Sequence, residues 1–334
     1  MQLTRLAAEG LLADPATPEV MKTWLRQAAP GLMDREREKK FLLTARIGPF
    51  PRGADGVVFW CTFPDLEAMT NGQGEGARKV EPFGVPERSL HFIDLESFFP
   101  DDTKRNYADD LSHKPALKDI PRDMADPRWQ RAGMLPFRVE QCYRQMVSEL
   151  RNGRLNDAPG QFPRDDHAAR WAGMLAHYAE DNTQPQHATA DYKSASYFKD
   201  KLRGPNVHAD MEYVLVDDDY KDYPTLRAEF WGELEKALAE TQDPIKSDDP
   251  WPATVEVSLI SYGALPLIGR AAAAAYRRDG SSWKFDAENF YHFKAPVDGR
   301  EMTVLQMKAK QMAWGVKRVQ RLWRRAWDEA KGQH

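Results

Sequence analysis

The stretch from Asp166 to Glu212 reads DHAARWAGMLAHYAEDNTQPQHATADYKSASYFKDKLRGPNVHADME. Its first part has a helical pattern in which His177 and Asp181 are spaced i, i+4. This spacing places both side chains on one face of a helix, one turn apart. Pro185 ends the helix because proline cannot continue the hydrogen-bond ladder, and His187 follows at once. The stretch therefore predicts a helix and a turn that carry metal-binding types of side chain.

A second short helix is predicted at the end of this stretch, after Asn206. It carries His208 and Glu212, again spaced i, i+4. A single histidine is usually an ordinary core or surface residue. Three imidazoles and two carboxylates on two helices and the turn between them are instead typical of a metal site. Nitrogen and oxygen ligands without a thiolate favour zinc in a hydrolase over a zinc finger.

Helical patterns also dominate the rest of the chain. The sequence predicts helices at 2–12, 18–27, 136–153, 225–240, 266–278 and 301–330, and a short helix that opens at Asp65. The segment TVEVSLISY at 254–262 is the most strand-like part of the chain. Because strand patterns are scarce and do not alternate with helices, we expect one mostly α domain and no doubly wound sheet.

The composition sets limits on the class of protein. The 334 residues carry a formal net charge of −4, so no strong global positive field is available to steer nucleic acid. The two cysteines, Cys61 and Cys142, are too few for a disulfide framework or a cysteine zinc site. They either stay reduced and buried or form one disulfide, and we favour the reduced state. No transmembrane helix and no signal peptide are expected from the apolar pattern.

Four motifs together resemble the zinc-dependent phospholipase C and single-strand-specific zinc nuclease superfamily. They are FPD at 63–65, LHFID at 90–94, HYAEDNTQPQH at 177–187 and NVHADME at 206–212. The resemblance covers roughly residues 1–215. It implies a single mostly α domain over 1–334, with a metal core at about 60–215 and a helical C-terminal part at 216–334.

The resemblance also implies the metal ligands. One zinc would be held by Asp65, His91, His177 and Asp181, and a second by His187, His208 and Glu212. Asp181 would bridge to a third zinc, so two or three ions are expected. Asp65 and Asp181 are the carboxylates expected at the catalytic centre, and Asp55 competes with Asp65 for its role. The implied reaction is phosphodiester hydrolysis by metal-activated water, without a protein nucleophile.

The N-terminus departs from the family pattern. The family completes its third zinc site with an N-terminal Trp and a nearby His, and neither is present here. We expect a start one motif too late, a protein that binds two metals, or a different closure of the third site, and we favour the first. The resemblance implies a secreted or periplasmic protein whose signal peptide lies outside this sequence, while a cytoplasmic location stays open.

The substrate is less well defined by the sequence. Phe92 and Asp94 follow His91, where the nucleases use an aromatic residue and an Asp to hold a base, and Asn206 is either a substrate contact or a helix cap. We therefore favour a nuclease-like enzyme. The alternatives are a phospholipase C-like enzyme that acts on lipid head groups and a metal-bound but catalytically silent binding protein.

Other polar groups are expected to have ordinary roles. We expect core or surface positions for the four remaining histidines, and a solvated amphipathic helix for a basic cluster near the C-terminus. A phosphate or membrane-surface patch is the alternative for that cluster. The histidines are His113, His167, His292 and His334, and the basic residues are Lys317, Arg318, Arg321, Arg324 and Arg325.

Overall fold

A computed structural model describes residues 1–26, 53–70, 77–99, 111, 114–152, 165–198, 204–217 and 222–332. The chain is mostly helical over these residues, which confirms the predicted fold class at that level. The Asp55 side chain, His113 and His334 lie outside the described part.

The described helices and strands have the following bounds. The α-helices are α1 Gln2–Ala13, α2 Glu19–Arg26, α3 Gly53–Cys61, α4 Phe63–Thr70, α5 Trp129–Ala132, α6 Leu135–Arg151, α7 Asp165–Thr183, α8 Val207–Glu212, α9 Pro224–Glu240, α10 Pro250–Ser261, α11 Leu265–Ala275, α12 Ala287–His292 and α13 Val304–Ala330. The strands are β1 Lys79–Val80, β2 Val85–Pro86, β3 Tyr276–Asp279, β4 Ser282–Phe285, β5 Lys294–Val297 and β6 Arg300–Thr303. Strand β1 pairs with β2, β3 with β4 and β5 with β6, each pair as an antiparallel two-stranded sheet.

Most predicted helices are confirmed to within a few residues of their ends. The helix with His177 ends at Thr183, and the 3-10 turn Pro185–Ala188 follows it. The short helix after Asn206 is α8. The helix predicted at 266–278 is shorter than expected because it ends at Ala275, where the backbone becomes extended and starts β3.

The strand-like segment 254–262 is a helix, so that prediction was wrong. It belongs to α10, whose N-terminus is capped by the Asp249 side chain, which accepts the Trp251 N–H at 3.2 Å. Pro250 lies in the first turn, where its missing N–H has no helical partner to lose. Residues on every side of α10 are buried. A helix buried all round has no amphipathic pattern to distinguish it from a strand.

Helices α10 and α11 form a long apolar stretch. Among the described residues, one stretch, Pro250–Ala275, is long and apolar enough to cross a membrane by length and composition. Within the protein, 67% of the most apolar 18 residues of this stretch is buried. A core helix of a globular protein has the same composition.

The described residues group into two compact units whose segments are interleaved along the sequence. The first unit consists of Met1–Leu90, Phe137–Glu180 and Val316–His334, and the second of His91–Pro136 and Asp181–Gly315. The sequence predicted a single domain with a metal core at about 60–215 and a helical C-terminal part at 216–334, and it did not predict this grouping. The chain passes from one unit to the other after Leu90 and within α6, α7 and α13.

The first unit has a core rich in tryptophan. The rings of Trp24 and Trp327 lie 5.9 Å apart between centroids, and Trp323 donates its indole N–H to the Ala172 carbonyl at 3.0 Å. Cys61 and Cys142 are buried and unbonded, as favoured from the sequence. Burial raises the pKa of the Cys142 thiol to about 11, so this cysteine is not a ready nucleophile.

The basic cluster near the C-terminus is not a solvated face, so that expectation was wrong. Arg318 is only 2% exposed, and Arg324 donates to Asp14 and, at 2.7 Å, to the Thr17 hydroxyl. In the first unit Arg324 therefore joins the C-terminal half of α13 to the segment after α1. Its two partners could not be recognised from the sequence because they lie more than 300 residues away in the chain.

Gly173 marks a close approach between two helices of the first unit. It lies in α7, and a Cβ added there would be 2.4 Å from the Val57 carbonyl oxygen and 2.7 Å from the Trp60 Cβ. Both groups belong to α3, and one of them is backbone, which cannot rotate away. Packing of α7 against α3 therefore requires a residue without a side chain at position 173.

We expect Gly173→Ala to lower the free energy of unfolding by about 1–3 kcal/mol, because an extra methyl group in a packed interface forces the backbone to shift. Urea denaturation followed by tryptophan fluorescence measures this. Gly232→Ala is the matched control: position 232 lies in α9 with nothing within 4 Å of an added Cβ. That variant should gain up to about 1 kcal/mol from helix propensity. Equal effects of both variants would contradict the close approach.

Candidate metal centre

His187 lies in the 3-10 turn that follows α7, and three hydrogen bonds fix this turn in the second unit. The Gln184 side chain caps the turn by accepting the Gln186 N–H at 2.5 Å. The Nδ1 of His187 lies 2.8 Å from the His91 carbonyl oxygen, and the Ile93 N–H donates to the His187 carbonyl at 2.9 Å. Since a carbonyl only accepts, Nδ1 carries the proton, and the lone pair is left on Nε2.

The Nε2 atom of His187 is suited to bind a metal. The residue is 9% exposed, and burial lowers the pKa of its imidazole although the charge of Asp181 raises it. The ring is therefore kept neutral, which is the form that ligates metals. Within the part of the chain that the structure describes, Nε2 is buried without a hydrogen-bond partner. A buried acceptor without a partner is costly unless a bound group satisfies it.

The short helix α8 provides the second part of the cluster. His208 Nε2 lies 2.7 Å from a carboxylate oxygen of Glu212, as expected for i, i+4 neighbours. The amide nitrogen of Gln184 lies 3.2 Å from His208 Nδ1, so the residue that caps the His187 turn also contacts α8. The rings of His187 and His208 are 4.9 Å apart between centroids.

One potential ligand atom from each of His187, His208 and Glu212 lies within 4.8 Å of the other two. Burial alone would raise the pKa of Glu212, but the hydrogen bond with His208 and the neighbouring imidazoles outweigh burial and lower it. Glu212 is therefore a carboxylate at neutral pH. Two imidazoles and one carboxylate are the ligand set of many catalytic zinc sites, so the residues fit the predicted metal.

Asp181 and His91 lie beside this cluster in the second unit. Asp181 Oδ2 is 3.0 Å from His91 Nδ1, and its other oxygen is 4.0 Å from His187 Nε2. Both residues are buried, at 8% and 6% exposure. Asp181 therefore presents one carboxylate oxygen to each of two histidines, and it can add a ligand to the His187 side of the cluster.

The remaining predicted ligands, Asp65 and His177, belong to the first unit. Asp65 lies in α4, and its Oδ1 is 3.8 Å from His177 Nε2. His177 is buried, whereas the Asp65 side chain is about half exposed. His177 and Asp181 are one turn apart on α7, as the spacing predicted. The assignment of one zinc to Asp65, His91, His177 and Asp181 stays a prediction.

The three residues predicted to contact substrate have different surroundings. Phe92 is partly buried and packs on Gly133, where an added Cβ would be 2.7 Å from the ring. Asp94 precedes the 3-10 turn Leu95–Phe98, and its N–H donates to the Ala132 carbonyl at 2.6 Å. Asn206 is exposed and precedes α8, but its side chain makes no capping hydrogen bond with the described residues of that helix.

Two of the other histidines are on the surface, as expected. His167 is exposed, with Glu149 at 3.8 Å. His292 is exposed between Glu229 at 2.9 Å and Glu288 at 3.2 Å.

Sequence reasoning missed the buried polar residues that support the centre. Glu96 is 1% exposed and accepts hydrogen bonds from Thr189, the Ala190 N–H and Tyr262, at 2.5, 3.1 and 2.8 Å. It thereby fixes the chain just after His187. Its position in the apolar run 89–99 was a usable signal, because a carboxylate among apolar residues needs partners.

No protein-family model, no curated protein and no solved structure matches the chain.

We expect His187→Ala to weaken zinc binding by more than about 100-fold, because it removes a ligand and leaves two. Equilibrium dialysis with zinc, read by elemental analysis, measures both affinity and the number of ions bound. His167→Ala is the control, since it removes an exposed imidazole outside the cluster, and it should bind zinc as the unaltered chain does. Equal zinc binding by both variants would contradict the assignment.

Proposed function

We propose that this protein is a zinc-dependent phosphodiester hydrolase of the zinc phospholipase C and zinc nuclease type. The convergence of His187, His208 and Glu212 supports the proposal most directly. The unpartnered Nε2 of His187 adds to it, because the described protein atoms leave that lone pair unused. The resemblance of the four sequence motifs supplies the reaction class.

The residues of the second unit would divide the work as follows. His187, His208 and Glu212 hold the ion, and the His91 carbonyl keeps the His187 lone pair directed at it. Bound zinc supplies Lewis-acid chemistry, which stabilises negative charge on a phosphoryl oxygen and makes water acidic enough to react at neutral pH. Asp181, 4.0 Å from His187 Nε2, places a carboxylate where it can accept a proton or serve as a further ligand.

No protein nucleophile is needed in this proposal. The Cys142 thiol is buried and its pKa is raised to about 11, so it is a poor nucleophile at neutral pH. Hydrolysis by water fits a site built from imidazoles and carboxylates.

We expect the zinc-loaded protein to hydrolyse bis-p-nitrophenyl phosphate and to lose more than about 100-fold of kcat/KM in His187→Ala or with a chelator. Release of p-nitrophenolate measures the rate, and His167→Ala should be as active as the unaltered chain. A protein that binds zinc but hydrolyses no phosphodiester would contradict the proposal and favour the catalytically silent binding protein.

Nucleotide phosphodiesters are the favoured substrate class. The partly buried ring of Phe92 follows His91 directly, and a base can stack on an aromatic ring with little sequence preference.

We expect a single-stranded oligonucleotide to be hydrolysed at least about tenfold faster than short-chain phosphatidylcholine. Phe92→Leu should raise KM for the oligonucleotide about 5- to 100-fold, which corresponds to the loss of one stacking contact. Bis-p-nitrophenyl phosphate hydrolysis by Phe92→Leu is the control for an intact metal site. Preference for phosphatidylcholine would instead favour a phospholipase C-like enzyme.

A further inference from the structure

Lys308 is a fully buried cation that the proposed reaction does not use. It lies in α13 within the second unit and is 1% exposed. Its Nζ is 5.5 Å from the ring centroid of Phe230 and 5.7 Å from that of Tyr291. Burying an amino group among aromatic rings is costly unless its N–H groups find acceptors, so its hydrogen bonds indicate its role.

Both acceptors of Lys308 are backbone carbonyls at the end of α8. The Nζ donates to the Asp210 carbonyl at 2.8 Å and to the Val214 carbonyl. Tyr291 donates its hydroxyl to the same Asp210 carbonyl at 2.7 Å. Carbonyls near a helix C-terminus lack helical partners and favour a donor or a positive charge.

The tether does not depend on the charge of Lys308. Burial lowers its pKa to about 7, although the nearby Asp210 and Glu212 carboxylates act in the opposite direction. An ammonium has three N–H donors and a neutral amine has two. Either form can therefore donate to both carbonyls.

Helix α8 needs an external tether because it has only six residues. An isolated helix of that length is not stable in water. Within it, Asp210 is two residues from both His208 and Glu212, so the helical period places Asp210 on the opposite face. That face is buried, and the Asp210 carboxylate accepts a hydrogen bond from Tyr276. Fixing the buried face therefore sets where the two ligands point.

We propose that Lys308 is a positioning residue of the metal centre: it holds the C-terminal end of α8 so that His208 and Glu212 face His187. The zinc part of this inference rests on the proposed function, whereas the tether itself is independent of metal.

The test is Lys308→Met in the full chain, because methionine keeps the apolar stem and removes the donors. Titration with zinc should show affinity lowered by about 10- to 100-fold, the range for groups that orient metal ligands. The visible absorption of the cobalt(II)-loaded protein should shift, since it reports ligand geometry. Without metal, amide hydrogen exchange over residues 207–214 should speed up at least tenfold.

Trp314→Phe is the matched control. It also removes a hydrogen bond of α13, the partly buried 3.0 Å bond from the indole N–H to Asp243, whose acceptor lies outside α8. We expect its zinc affinity and cobalt spectrum to equal those of the unaltered chain. If Lys308→Met folds poorly, Tyr291→Phe removes the other donor to the Asp210 carbonyl and should shift the same spectrum by less.

The outcomes separate this inference from the proposed function. Unchanged hydrogen exchange over 207–214 and unchanged zinc affinity in Lys308→Met would overturn the positioning role. Equal losses in Lys308→Met and Trp314→Phe would overturn it as well, because they would show a general loss of stability. If the unaltered chain binds no zinc, the proposed function fails, and hydrogen exchange still decides whether Lys308 tethers α8.

Discussion

The hydrogen bond between His187 Nδ1 and the His91 carbonyl fixes the centre of the second unit. It joins residues 96 positions apart and has two effects. It sets the tautomer, so that Nε2 is left with its lone pair, and it orients the ring. The return bond from the Ile93 N–H to the His187 carbonyl holds the same two segments together. The other candidate ligands can share a metal ion with His187 only if this ring is immobile, because a metal site requires fixed ligand positions.

Three kinds of support surround this ring. Gln184 joins the turn to α8 by contacting both the Gln186 N–H and His208. Glu96 holds the chain that leaves the turn. Lys308 holds the far end of α8 from inside the core. The candidate ligands His187, His208 and Glu212 are on short elements, one 3-10 turn and one six-residue helix. Their positions therefore come from long-range polar contacts and not from intrinsic helix stability.

The parts of this site that could be predicted are those encoded by local rules. The end of α7 before Pro185, the turn with His187 and the i, i+4 spacing of His208 and Glu212 all follow from neighbouring residues. The segment 254–262 was misjudged because burial on all sides removes the pattern on which the prediction depends. Lys308 could not be recognised, because a lysine in a helical pattern is ordinarily solvated, and its acceptors are 94 and 98 residues away in the chain. The grouping of the chain into two interleaved units was equally inaccessible, since it depends on contacts between distant segments.

The buried polar groups of the second unit are difficult to explain by stability alone. Burial raises the pKa of Glu96 and raises that of Asp210 to about 6, while it lowers that of Lys308 to about 7. Each shift has the direction expected when burial disfavours the charged form. Apolar residues of similar volume often replace such groups at no cost or with a gain in stability. Two of these groups hold backbone or side chains close in sequence to the candidate ligands: Glu96 accepts from Thr189 and the Ala190 N–H, two and three residues after His187, and Lys308 donates to the Asp210 and Val214 carbonyls, each two residues from Glu212. Positioning of the candidate ligands therefore accounts for these buried groups where stability alone does not.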